Sequence, residues 1–279
     1  MHETMMVEET VPASQVTPLI PAPTPATPRV ILATGATREY LSKSAGYLAS
    51  IEQHGGGFDA RYLVSVGCAL EPDSVPDSIT PVGLPQTMAK EGLRGNVQYG
   101  AFLPVLPGDA DDTIVYTDGD MRLQRPLSDG ERAMLDHWPR NVIGMARNFG
   151  AGDNLMLEAK RLKLRTDAEY LSNQWPHSNG RVWNAGVIIA RRSTYQRLAA
   201  TYSSLFPQFK PMLPPGQGRG VQWLICYSIA KLGLHVWELP YTWHAHGLAG
   251  ALPNDVTDQG DGTIYADGTK VLFRHAWKV

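Results

Sequence analysis

The sequence predicts an α/β fold: one domain with a mixed, mostly parallel central sheet, flanking helices and a C-terminal β-hairpin. Three observations carry this expectation. The ordered part opens strand, helix, strand, the pattern of a parallel sheet joined by a crossover helix. Apolar runs at 113–118 and 182–192 then alternate with amphipathic stretches, as buried strands and covering helices do. Near the end, Asp267-Gly268 stands between two β-prone runs, a strong hairpin signal.

Residues 1–28 come first. Pro12, Pro18, Pro21, Pro23, Pro25 and Pro28 alternate with Ala and Thr. This composition disfavours helix and sheet, so a disordered or polyproline-like arm is expected there, with the folded domain over 29–279. RVILATG (29–35) reads as a buried strand, TREYLSKSAGYLASIEQH (37–54) as an amphipathic helix and RYLVSVG (61–67) as a second strand. Residues 70–92 are rich in Pro, Asp and Gly, with one edge strand near Ile79. NVQYGAFLPVL (96–106) reads as a short helix, and TIVYTDGD (113–120) as a strand running into a turn.

LSDGERAMLDHW (127–138) predicts a helix with Ser128 as N-cap and Glu131 completing a capping box. A strand follows at 141–147 and a helix at 156–174. VWNAGVIIARR (182–192) is a strand interrupted by Asn-Ala-Gly. Helices at 193–206 and 221–233 and a strand at 234–240 lead to the hairpin, which places Arg274, His275 and Lys278 just past its second strand.

Composition excludes some partners. Lys plus Arg number 25 and Asp plus Glu 27, a formal net charge of −2, so no electrostatic footprint for nucleic acid exists. No apolar run reaches the length of a membrane span. Cys68 and Cys226 both lie in apolar surroundings and form no disulfide framework, so a reducing, cytoplasmic location is expected.

The chemistry concentrates at Asp118-Gly119-Asp120. Ligands of open α/β sheets sit outside the carboxyl ends of the strands. Two carboxylates in a turn leaving a buried strand make a hard oxygen cluster suited to Mg²⁺ or Mn²⁺. The glycine between them lets a phosphate come close. The other reading of the pair is a solvated turn. His275, in FRHAWK, is the nearest candidate third ligand, and a surface histidine is its alternative. His244 and His246 form a competing H-x-H pair for zinc, without further ligands nearby in sequence.

Five segments, in order, resemble one family: VILATGATREYL, IVYTDGDMRL, VWNAGVIIARR, VQWLICYSIAKLG with LPYTWH, and FRHAWK. They are similar to glycosyltransferases of the GT-A fold, a Rossmann-like architecture, and most of all to family 8 (the glycogenin and bacterial galactosyltransferase group). The resemblance implies a metal-dependent transfer of a hexose from a nucleotide-diphosphate sugar, with UDP the usual nucleotide, to a saccharide, protein or small-molecule acceptor. It implies Mn²⁺ or Mg²⁺ held by Asp118, Asp120 and His275. Ala33, Thr34, Gly35, Tyr40, Gln98, Asn184, Ala185, Gly186 and Lys278 would contact the donor, together with Asp118. Gln222 would lie near the reacting sugar carbon, making Gln222 and Asp120 the catalytic pair.

The chain also departs from the family. Val221 stands where the family has Asp, so Asp153 or Asn148 would have to serve the sugar hydroxyls. His244 stands where asparagine is frequent, and the chain ends at Lys278-Val279 without the usual Pro-Trp. A sugar nucleotidyltransferase is the rival enzyme, but ATGATREYL lacks the lysine- and glycine-rich phosphate loop it should carry. A non-catalytic carbohydrate-binding module is the rival outside enzymes.

Overall fold

The computed structural model describes residues 27–66, 70, 74–84, 100, 102–147, 181–209, 218–245, 256–259, 261 and 263–275. The main sheet grows from β1 (Val30–Thr37), whose side chains alternate between two cores. Val30 and Leu32 join one buried cluster, Ile31 and Ala33 the other. A strand covered on both faces has to be apolar at successive positions, and this one is. The chain returns through α1 (Arg38–His54) to β2 (Ala60–Val66), parallel to β1, and then to the edge strand β3 (Thr80–Leu84). On the other side of β1 lies β4 (Thr113–Asp118), also parallel.

The short β5 (Met121–Leu123) and α2 (Asp129–Asp136) come next, then β6 (Val142–Arg147), β7 (Trp183–Arg191), α3 (Arg192–Phe209), α4 (Gly218–Lys231) and β8 (His235–Leu239). The sheet order is β3-β2-β1-β4-β7-β6-β8, and β7 alone runs against its neighbours. Tyr47, Leu48 and Ile51 of α1 cover one face with Leu135 of α2. Tyr195, Leu198 and Tyr202 of α3 and Trp223 to Ala230 of α4 cover the other. The result is three layers, helix on sheet on helix.

The C-terminal part makes two small sheets. β10 (Val256–Asp258), β11 (Ile264–Ala266) and β12 (Thr269–Lys270) form one. Asp267 and Gly268 link β11 to β12 with φ of +50° and +70°, the left-handed pair that a two-residue hairpin loop demands. The second sheet joins β5 to β13 (Phe273–His275) and β9 (His244–Ala245).

Local signals near α2 match the structure. Ser128 Oγ accepts the Glu131 N–H, and the Glu131 carboxylate accepts the Ser128 N–H, a closed capping box. Other expectations shift. The helix expected at 96–106 is, in its described part, one 3₁₀ turn at Leu103–Val105. Its Pro104 lacks the N–H that a longer helix would use. Arg274 and His275 do follow the hairpin's second strand, β12, and they lie in a further short strand, β13, after buried Val271 and Leu272. The arm at 1–26, the helix at 156–174 and Cys68 lie outside the described residues. Cys226 is a buried free thiol, its pKa pushed by burial to about 12. Among the described residues no helix is long and apolar enough to cross a membrane.

Candidate metal centre

The strand order changes direction at β1. From it the chain builds outward to β2 and β3, and β4 opens the other half of the sheet. The crevice outside the carboxyl ends of two such strands is the preferred ligand position of an open α/β sheet. Gly35 of β1 lies directly opposite Asp118, the last residue of β4. Below them α1 supports the turn: the Tyr47 hydroxyl and Thr117 Oγ1 share a buried hydrogen bond of 2.6 Å.

Gly119 is needed for packing as well as for any ligand. A Cβ there would stand 2.7 Å from Ser44 Oγ and 2.9 Å from the Gly35 carbonyl oxygen, closer than real Cβ atoms come. The turn between the two aspartates is therefore pressed onto β1 and α1, which fixes the direction of both carboxylates.

β-Register brings the third ligand. β13 pairs antiparallel with β5, setting His275 opposite Met121 and so beside Asp120. His275 Nε2 lies 3.3 Å from Asp120 Oδ1. One ligand atom from each of Asp118, Asp120 and His275 falls within 4.8 Å of the others. His275 is buried, whereas the two aspartates are partly open. Burial opposes a charge on His275, but the hydrogen bond to Asp120 and the fields of Asp118 and Asp120 outweigh it and hold its pKa above the ordinary value. The donor set fits a divalent ion: carboxylates suit Mg²⁺ and Mn²⁺, and an imidazole moves the preference toward transition metals.

β7 forms the wall beside this group. Its pairing with β6 slips between Met145 and Ala146, whose partners are Ile188 and Asn184, so residues 185–187 arch away from β6. The interruption Asn184-Ala185-Gly186 is thus a bulge, and it faces the site. Asn184 Oδ1 accepts the Gly186 N–H at 2.8 Å, holding the arch. A Cβ on Gly186 would stand 2.7 Å from His275 Cε1. Across the ring, His244 packs on His275 with centroids 5.7 Å apart and planes tilted by 32°.

The remaining sequence-derived residues fall in several places. Ala33 is fully buried in the core cluster. Thr34 is fully buried as well, with its Oγ1 lacking a hydrogen-bond partner among the described residues, while Gly35 is half-buried at the rim. Gln222 is half-buried in the second turn of α4. It lies one turn before Cys226, on the same face, and Cys226 Sγ accepts the N–H of Trp183, next to Asn184. That places Gln222 on the side of α4 turned to the bulge strand. The side chain of Tyr40, and residues Gln98, Asn148, Asp153, His246 and Lys278, lie outside the described residues. The H-x-H zinc pair therefore has only His244 in view. Sequence pattern did not single out Tyr47 or Ser44 as supports of the aspartate turn. An apolar helix position and a small polar one carry no such signal.

No protein-family model and no curated protein matches the chain. Solved structures do. The galactosyltransferase LgtC in complex with donor and acceptor sugar analogues is 14% identical, with a TM-score of 0.50 over 89% of this chain and 87% of that one. An active-site glutamine-to-glutamate variant of LgtC gives 15% identity and a TM-score of 0.51 over 90% and 88%. Mouse xyloside xylosyltransferase 1 in its apo form gives 14% and 0.48 over 88% and 97%. The chain carries the GT-A glycosyltransferase fold.

Proposed function

We propose that this chain is a metal-dependent glycosyltransferase that moves a hexose from a nucleotide-diphosphate sugar, UDP-sugars being the first donors to test, to a saccharide, protein or small-molecule acceptor. The observation that carries the reading is the Asp118–Asp120–His275 group at the carboxyl edge of β4, held within 4.8 Å at the switch point of a GT-A sheet. A bound Mn²⁺ or Mg²⁺ would supply Lewis-acid stabilisation of the charge that develops on the leaving diphosphate. Asp118, Asp120 and, as a neutral imidazole, His275 would hold that cation. Gly35 and the arch Asn184–Gly186 border the donor. By the resemblance, Lys278 would serve the diphosphate as a point charge.

LgtC was solved with donor and acceptor sugar analogues, and one of its glutamines is an active-site residue. By the resemblance, Gln222 takes that place here. Its amide oxygen would face the reacting sugar carbon during a transfer that retains anomeric configuration. An NMR time course of the product anomer tests this, and an inverted product would sink the retaining reading. For the reaction itself, thermal-shift measurements with nucleoside diphosphates, with and without Mn²⁺, compare the native chain with Asp120→Ala. Stabilisation that is specific for one nucleotide, needs metal and vanishes in the variant supports the proposal. No shift with any nucleotide counts against it.

A further inference from the structure

His275 is flanked on three sides, by the aspartate turn, by β7 and by β9. Its Nε2 meets Asp120 at 3.3 Å. Its Cε1–Nδ1 edge runs along the backbone of Gly186, where a Cβ would come within 2.7 Å of Cε1 and 3.0 Å of Nδ1. The ring of His244, itself buried, lies with its centroid 5.7 Å from that of His275 and its plane tilted by 32°.

Each part of this arrangement is anchored. The Leu272 N–H donates to the Thr242 carbonyl at 2.8 Å and the Phe273 N–H to the Trp243 carbonyl at 2.9 Å, tying the His244 strand to the His275 strand. Gly186 is set by its hydrogen bond to Asn184, and its neighbour Val187 pairs with Thr117, next to Asp118.

We propose that Gly186 and His244 are positioning residues that clamp the His275 imidazole and aim its Nε2 at the cation position. The inference rests on the metal-centre reading above. The physical reason is pre-organisation: a ligand ring free to rotate must lose that freedom when the ion binds, whereas a clamped ring does not. Neighbours that orient a ligating histidine are worth about 10- to 100-fold in metal affinity. The clamp also explains why position 186 is glycine. A Cβ there would crowd both the His275 ring and Asn184 Oδ1, 2.8 Å away, so the packing around the ring would have to shift. A displaced ring would no longer hold Nε2 at 3.3 Å from Asp120 Oδ1.

The test uses the full chain and Mn²⁺ alone as the probe, by isothermal titration calorimetry, with melting in EDTA measured in parallel. Gly186→Ala and His244→Ala are expected to weaken Mn²⁺ binding by about 10- to 100-fold. His244→Phe keeps a planar ring of similar size and is expected to bind Mn²⁺ close to the native level. It also guards against a truncation that simply unfolds the chain. Asp120→Ala serves as the control for the site itself. If the native chain binds Mn²⁺, Asp120→Ala loses it, and Gly186→Ala and His244→Ala bind like the native chain, the clamp is overturned and the metal centre stands. The clamp also falls if His244→Phe loses binding as severely as His244→Ala. If the native chain binds no Mn²⁺, the metal reading falls and takes the clamp with it.

Discussion

Two carboxylate sites of the fold are built in opposite ways. Glu131, in the first turn of α2, has a full set of donors. Arg125 reaches both of its oxygens at 2.7 Å, and the Ser128 N–H and Oγ donate to Oε2 at 2.9 and 2.8 Å. Arg125 also donates to the Lys270 carbonyl at 2.6 Å, so the corner locks α2 to the C-terminal hairpin. One negative charge meets one positive. Burial works against the charge on Glu131, but Arg125 and Ser128 outweigh it and lower the pKa. At Asp118 and Asp120 two negative charges converge on one imidazole. On the proposed reading, the difference separates a structural carboxylate from a binding one. The first is neutralised by side chains of the fold and contributes stability. The second concentrates charge that a cation would relieve.

The largest expected effect separates the two sites by function. Asp120→Ala should lower metal-dependent transfer by roughly 10²- to 10³-fold, the scale of losing a group that stabilises developing charge. Its melting temperature in EDTA should stay near that of the native chain. A large loss of stability would break the comparison, because Asp120 would then be structural like Glu131.

Arg125→Ala should do the reverse. Leaving the half-buried Glu131 carboxylate without its bidentate partner should cost about 2 kcal/mol in urea unfolding, with Mn²⁺ binding unchanged. Loss of Mn²⁺ binding in this variant would show that the corner and the site are coupled.

The two sites should also respond to pH with opposite sign. His275 has a raised folded pKa, so its proton stabilises the metal-free chain below the ordinary histidine value, about 6.5. That contribution is lost as pH rises through the folded value. Mn²⁺ has to displace the proton, so its affinity should rise with pH, by at most about tenfold per unit, and level off above the folded pKa. Calorimetry at several pH values checks this, and a flat profile would remove His275 from the ligand set. Glu131 has a lowered folded pKa, so its contribution is present above the ordinary glutamate value, about 4.3, and is lost as pH falls through the folded value. Melting curves of Glu131→Gln and the native chain should therefore converge in acid.

The smallest effect belongs to the cap. Ser128→Ala should cost about 1 kcal/mol, measured by thermal unfolding, with no change at the metal centre.

What could be read in the chain follows the range of the interactions. The capping box of Ser128 and Glu131 spans four residues, and the Asp267-Gly268 loop two, so local geometry decided both. The buried strand ending in Asp118 showed as an apolar run, because a strand covered on both faces leaves no other pattern. The reversal of β7 left no such trace. A strand buried on both faces reads the same in either direction, and only its partners β4 and β6 reveal the sense. The sheet of β5, β13 and β9 was equally hidden, since strands of two or three residues carry too little periodicity to be seen.

The amino-acid sequence by itself determined the α/β class, the helix cap, the hairpin loop and the rigid mount of the aspartate pair. Each depends on residues near one another in the chain, where backbone propensity and side-chain chemistry act directly. Tertiary structure alone decided that Gly119 is pinned between β1 and α1, that Gly186 makes room for an imidazole, and that His244 backs it. It also brought His275 to Asp120, through a register that sets residue 275 opposite residue 121. These are contacts between strands far apart in sequence, and their energies exist only once the sheets have formed.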